Sequence, residues 1–240
     1  MPADQRIPSS EALEVLAHGE VEVEGRMPWS SNGTFLVTCR APTGELAAIY
    51  KPHRGERPLW DFPGGLYRRE VAAYELSVVL GWGQVPETVL RPDAPLGVGS
   101  LQRFVPADFS QHYFTLMEAE ENHDALREIC AFDLLVNNAD RKAGHCLAGL
   151  DGRIWAIDNG LCFHVEPKLR TVIWDFAGEE LPARLLEGLE RLAGAPPECL
   201  EGLLAPDDAR AVSCRAATLL AHPRLPAPDP ELRPYPWPLV

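Results

Sequence analysis

Six residues able to handle protons, phosphates or metal ions crowd one short stretch of the chain: Asp140, Arg141, Lys142, His145, Asp158 and Asn159. Between them runs HCLAGLDGRIWAID, two apolar-rich arms around Asp151-Gly152. An Asp-Gly pair between such arms is a strong signal for a hairpin with a two-residue turn. With those two residues as the turn, His145 falls directly opposite Asp158, their Cβ atoms about 5 Å apart. Asp140 lies five residues before His145, on the loop that enters the hairpin. Two carboxylates and an imidazole thus converge at one open end, a set suited to moving a proton or holding a cation. So many polar groups at that end argue for a site over an ordinary polar-ended surface hairpin.

Such a site needs elements to carry it, and periodicity supplies them. A short helix is expected over Ser10–Ala17, with Ser9 or Ser10 as N-cap. A strand over 21–25, a turn over 29–33 (WSSNG) and a strand over 34–40 follow. A turn of small residues between two strands can wrap phosphates with backbone N–H groups. ELAAIYKP forms a third strand with Lys51 near its end. Residues 52–65, rich in Pro, Gly and Arg, read as a loop, either a lid or a connector. The clearest helix is 66–81, with an apolar stripe of Tyr67, Val71, Tyr74 and Val78 and Gly81 as C-cap. Glu70 flanks that stripe and can point towards Lys51; Glu75 is the competing acid. An extended run over 85–90 precedes a buried strand over 97–105. A further helix spans 124–138, with Asp124 as N-cap and Asp133 buried and hydrogen-bonded. Leu-rich helical stretches occupy 179–193, 197–204 and 207–221. The stretch 223–240 holds seven prolines, so it is expected to run extended over the surface.

Composition narrows the field. At 240 residues and 46% hydrophobic content, the chain can bury a core as one domain or as two small lobes sharing a cleft. A net charge of −13 speaks against nucleic acids and strongly anionic membranes as partners. No apolar run approaches the roughly 20 residues of a transmembrane helix, and the first twenty residues do not read as a signal peptide. Six cysteines without a CxxC pair fit reduced thiols and a cytoplasmic location.

The motifs bring a family into view. NNADRKAGH resembles the Asp-Arg loop of phosphatidylinositol 3- and 4-kinases. AIDNG is similar to the metal loop of the type II phosphatidylinositol 4-kinases, in which Asn replaces the Phe of Asp-Phe-Gly. AIYKP resembles the third-strand lysine segment, and VPET also looks like its counterpart there. The chain is thereby identified as similar to a bacterial phosphatidylinositol 3-/4-kinase-like family over about residues 25–165. The resemblance implies an α+β, two-lobed protein-kinase-like fold. A small antiparallel β lobe with one helix would span 1–105, a mainly helical lobe 106–222, and the Pro-rich tail 223–240. It implies ATP as phosphate donor, Mg²⁺ or Mn²⁺ as metal, and transfer to the hydroxyl of a protein or small molecule more readily than a lipid. Asp140 would take the acceptor's proton, with Arg141 and Lys142 neutralising charge or holding an acceptor phosphate. Asp158 and His145 would hold the metal. Lys51 would steady the α- and β-phosphates and Glu70 would steady Lys51. Ser30, Ser31, Asn32 and Gly33 would cover the nucleotide, and Gln102, Phe104 and Val105 would meet the adenine at the hinge. His145 stands where the family usually has Asn. A nitrogen donor favours Mn²⁺ over Mg²⁺, so a preference for Mn²⁺ is expected.

Two other readings stay open at this level. The His145 exchange and the incomplete Gly-rich loop also fit a nucleotide-binding module without transfer activity. His145, Cys146, Cys162 and His164 together contain enough ligand types for a zinc site, although their spacing matches no common zinc motif.

Overall fold

The computed structural model describes residues 8–28, 32–229, 231 and 233–240. The chain runs α1 (Ser9–His18), β1 (Glu20–Arg26), β2 (Phe35–Ala41), β3 (Gly44–Pro52), α2 (Leu66–Leu80), β4 (Thr88–Arg91), β5 (Gly99–Arg103), α3 (Tyr113–Leu116), α4 (His123–Val136), β6 (Cys146–Ala148), β7 (Ile154–Ala156), α5 (Ala183–Glu190) and α6 (Pro206–Ala221). Strands β1 to β5 form one antiparallel sheet in the order β1-β2-β3-β5-β4.

Strand β3 shows how this sheet divides its two faces. Successive side chains of a strand point to opposite sides. Leu46, Ala48 and Tyr50 are buried with Val37, Cys39 and Leu101 against Ala12, Val15 and Leu16 of α1. Ile49 and Lys51 therefore face the other way, into a cleft. Pro8 stands at the N-cap of α1 and no side chain caps the helix, so neither Ser9 nor Ser10 does.

Helix α2 ends as expected, with Gly81 at φ 71°. Its apolar stripe is only partly right: Tyr67, Val71 and Tyr74 are buried, whereas Val78 is 53% exposed. Ala72, Ala73, Leu76 and Leu80 are buried as well, because α2 lies against both the sheet and the helical core. Its free N–H groups are capped from outside the helix. Gly65 N and Tyr67 N donate to the two carboxylate oxygens of Glu56 at 2.8 and 2.9 Å. The loop 52–65 is thus tied to the start of α2, where a carboxylate also meets the positive end of the helix dipole.

The second lobe is built on α4, α5 and α6 around one large apolar core. Helix α4 stops at Asn137, which takes φ 54°, a left-handed conformation that Asn tolerates. Asp124 sits in the first turn rather than at the cap, which is Asn122. The stretch 179–193 is helical only over Ala183–Glu190, starting after Pro182. The stretch 197–204 contributes a single 3₁₀ turn, Glu198–Leu200.

The hairpin β6–β7 departs from the expected register. Cys146 pairs with Ala156 and Ala148 with Ile154, one residue out of step. Gly149 N–H bonds to Arg153 O at 2.8 Å and Gly152 adopts φ 80°. The turn therefore has three residues, Leu150 to Gly152, with glycine at its left-handed position. His145 consequently faces Ile157, whose N–H it accepts at 3.0 Å. Removing the Glu56 carboxylate with Glu56→Ala is expected to lower the unfolding free energy by about 1–2 kcal/mol, measured by urea denaturation. An unchanged midpoint would show that α2 does not depend on this cap.

Candidate functional site: a cleft around Lys51, Asp140 and Asp158

A cavity of about 670 Å³ lies between the sheet and the helical lobe. Ile49 and Lys51 enter it from β3, Glu70 from α2, Gln102 to Val105 from the end of β5, and Asp140, Lys142, His145 and Asp158 from around the hairpin. Lys51 Nζ is the central contact. It pairs with Glu70 Oε1 and with Asp158 Oδ1 at 2.7 Å. Of the two acids considered on α2, Glu70 therefore makes the contact. Its other oxygen accepts the Asn159 N–H at 3.0 Å. Burial opposes the charge on Lys51, but the carboxylates of Asp158 and Glu70 outweigh it and hold its pKa above the ordinary lysine value. Lys51 in turn holds the Asp158 carboxyl well below the usual carboxylate range. Glu70 is nearly fully buried, and that burial pushes its pKa up against the pull of Lys51.

Asp158 reaches this position despite the shifted register, because its backbone turns to φ 57° immediately after β7. That conformation is uncommon for a residue with a side chain, and Asp is among those that adopt it most readily. It brings Oδ2 to 3.4 Å from His145 Nε2. Burial drives the His145 pKa down to about 4, so the ring is neutral at physiological pH. Its Nδ1 faces the Lys142 N–H at 3.4 Å, which only a lone pair there can accept. The ring proton accordingly belongs on Nε2, directed at Asp158. A metal-ligating role for His145 requires the opposite tautomer.

Asp140 sits across the cleft, its carboxylate 3.1 Å from Lys142 Nζ. Burial raises its pKa and Lys142 opposes the rise. Arg141 does not point into the cleft, contrary to the role the resemblance implied for it. Its side chain is fully buried and doubly bonded to Asp133, with NH2 at 2.9 Å and Nε at 3.0 Å from Oδ1. Its remaining donors go to Ile157 O at 2.6 Å and Asn159 Oδ1 at 2.7 Å. With no exposed surface and held on Asp133, Ile157 O and Asn159, it cannot hold an acceptor phosphate. Asp133 is buried and hydrogen-bonded as expected, also accepting from Asn138 and Thr171.

Ser30 and Ser31 lie outside the described residues. Asn32 and Gly33 line the cleft, but their groups are engaged. The Gly33 N–H donates to Gly55 O at 2.8 Å, and Asn32 Oδ1 accepts the Arg57 N–H at 3.0 Å. The backbone cradle expected of this turn is thus turned partly onto segment 53–57. Gln102 Nε2 is spent on Thr88 Oγ1 and the Phe104 N–H on Ala47 O. The Val105 N–H has no hydrogen-bond partner among the described residues.

Sequence reasoning missed the apolar floor of the cleft, Ile49, Leu147 and Ile157. The signal was available, because Ile49 lies two residues before Lys51 and so shares its face of β3. The zinc reading fails on position. His164 stacks on Phe62 with centroids 5.2 Å apart, and its Nδ1 accepts the Glu166 N–H. Among the described residues no group of three or more His, Cys, Asp or Glu is placed to hold a metal.

Replacing Arg141 by Met leaves the Asp133 charge buried and unpaired. It is expected to destabilise the fold by about 3–5 kcal/mol, with the Asp133→Leu, Arg141→Met double variant recovering much of the loss. Denaturant titration of the three proteins decides this; a single variant within 1 kcal/mol of the parent, a margin of the size expected of a surface pair, would refute it.

No family model matches the chain. Among solved structures, the chain is similar to hydra Fam20 determined with sugar, with TM-score 0.56 and 13% identity over 91% of this chain and 89% of that one. It is also similar to the Helicobacter pylori proinflammatory kinase CtkA, with TM-score 0.52 and 11% identity over 88% and 94%. These likenesses are of fold, and they establish a two-lobed, kinase-like α+β architecture. In sequence the chain is 40% identical, over an alignment 264 positions long, to Protein Rv2133c of Mycobacterium tuberculosis, covering 93% of this chain and 94% of that protein. With that identity over nearly the whole of both chains, it belongs to the family of Protein Rv2133c.

Proposed function

We propose that the chain is an ATP-dependent phosphotransferase of the phosphatidylinositol 3-/4-kinase-like type, moving the γ-phosphate to a hydroxyl acceptor. The observation that carries this reading is the ammonium of Lys51 held between Glu70 and Asp158 at the wall of the cleft, with Asp140 opposite. Lys51 is placed to steady the α- and β-phosphates and Glu70 to fix Lys51. The Val105 N–H and the apolar floor of Ile49, Leu147 and Ile157 suit an adenine ring. Asp140, held by burial at a raised pKa beside Lys142, is the group to receive the acceptor's proton.

The donor set fits a hard divalent cation. Four carboxylates line the cleft (Glu56, Glu70, Asp140 and Asp158) against three cationic side chains (Lys51, Lys142 and Arg103), so a triphosphate would enter a site already short of positive charge. Mg²⁺ or Mn²⁺, held by Asp158 together with phosphate and water oxygens, would supply the missing charge neutralisation. His145 lies against Asp158, its Nε2 3.4 Å from Oδ2, and acts on the orientation of that carboxylate and not as a metal ligand. The net charge of −13 favours a protein or small molecule over an anionic lipid surface as acceptor. No helix of the described residues is long and apolar enough to cross a membrane.

Two measurements test these roles. Asp158→Asn is expected to abolish metal-dependent thermal stabilisation by ATP. Asp140→Asn should keep that stabilisation and lose phosphate transfer by at least 100-fold, as removal of a general base does. Equal loss of binding in both would overturn the division of labour, and stabilisation without transfer in the parent protein would leave a nucleotide-binding module. Separately, His145→Ala is expected to weaken ATP binding by the same factor with Mg²⁺ and with Mn²⁺. A loss confined to Mn²⁺ would identify the imidazole as a ligand after all.

A further inference from the structure

The Pro-rich tail does not simply cover surface. Pro238 and Val240 line the cleft together with Asp140 and Lys142. The Ala143 N–H, three residues after Asp140, donates to Leu239 O at 2.7 Å. Five residues earlier in the tail, Pro234 O accepts the Thr171 N–H at 3.0 Å and the Trp174 Nε1–H at 3.3 Å. The segments giving these donors are themselves neighbours: Arg141 and Thr171 form a parallel bridge. Between the two anchored carbonyls, Pro236 is buried.

This mode of attachment has three notable features. The anchors are donors on the folded protein and carbonyls on the tail, which any extended polypeptide can supply. The tail's bulky side chains contribute little, since Trp237 is 88% and Val240 61% exposed. These hydrogen bonds go to Ala143, Thr171 and Trp174, and among the described residues none goes to the hinge at Val105. A groove that reads backbone carbonyls beside the proposed general base is what a polypeptide acceptor needs. The tail residues inserted there carry no hydroxyl; within 223–240 the one hydroxyl belongs to Tyr235, half-exposed outside the cleft.

We infer that the surface formed by residues 140–145 and 170–174 is the acceptor site, that its acceptor is an extended polypeptide bearing a serine or threonine hydroxyl, and that residues 234–240, which hold no serine or threonine, occupy it as an intramolecular competitor. The inference rests on the phosphotransferase reading and names its substrate class. In the transfer step, the acceptor oxygen forms a bond to the γ-phosphorus while the bond from that phosphorus to the β–γ bridging oxygen breaks. ADP leaves, and the hydroxyl proton passes to the Asp140 carboxylate.

The test places a hydroxyl where the competitor sits. Leu239→Ser and Val240→Ser leave the main-chain carbonyls of Pro234 and Leu239 available to their donors. Each full-length variant is incubated with ATP and Mg²⁺ or Mn²⁺, and its mass is measured beside its ADP production. At least one is expected to gain a single phosphate on the new serine, at a first-order rate independent of enzyme concentration, while the parent gains none there. A chain ending at Arg233 is expected to form ADP several-fold faster than the parent. A peptide of residues 234–240 added in trans should slow it again. ADP formation without phosphate on either new serine, and without acceleration on removing the tail, would overturn the inference and leave the phosphotransferase standing. No ADP and no nucleotide-dependent stabilisation in any variant would overturn both.

Discussion

One ammonium shared by two carboxylates organises this protein. Lys51 lies on β3, Glu70 on α2 and Asp158 on the loop after β7, three elements far apart in sequence. A charged lysine withdrawn from water is costly unless opposite charge lies close. Here two carboxylates make up for the loss, and the price is paid in geometry: sheet, helix and loop must meet at one point. A substitution that removed only Lys51 would leave Glu70 buried beside Asp158 with like charges facing, so the trio constrains the fold even before any ligand arrives.

From that point a continuous hydrogen-bonded path runs into the second lobe. Glu70 accepts from the Asn159 N–H, the Asn159 amide oxygen accepts from Arg141, and Arg141 is locked on Asp133 of α4. Arg141 also bonds Ile157 O at the end of β7. The loop carrying Asp140 and the loop carrying Asp158 are therefore held by the same buried guanidinium. A planar five-donor group can serve several acceptors at fixed angles, which a lysine cannot. This explains why arginine follows Asp140 even though it never reaches the cleft.

Local pattern revealed much of this and misjudged the rest for identifiable reasons. The sheet strands, α2, α4 and the Lys51–Glu70 approach were readable, because periods of 2 and 3.6 report which face is buried. The hairpin register was not, because Asp-Gly serves both a two-residue turn and the end of a three-residue one, and only the cross-strand pairs decide. His145 and Asp158 still come close, but through the left-handed backbone of Asp158 rather than as opposed strand residues. The direction of Arg141 depended on Asp133, eight residues away on a helix, and on nothing in its own loop. The caps were legible only in part: Gly81 ends α2 as expected, Pro8 and Asn122 stand at the caps of α1 and α4 in place of the serine and aspartate expected, and the carboxylate that serves α2 is Glu56, nine residues before Gly65, which no local motif announces.

The glycine of the Asp-Asn-Gly loop shows how tightly these constraints interlock. Gly160 does not adopt a left-handed backbone, so conformational freedom is not its purpose. A Cβ at that position would lie 3.2 Å from Glu70 Oε1 and 3.5 Å from Leu66 Cβ. The first distance is tighter than an ordinary van der Waals contact, and Glu70 has no free direction in which to yield. One of its oxygens holds Lys51 and the other holds the Asn159 N–H. A side chain at 160 therefore requires the Glu70 carboxylate or the loop carrying Asp158 to shift by a few tenths of an ångström. Glycine is needed there so that the helix and the loop can approach closely enough to share one lysine.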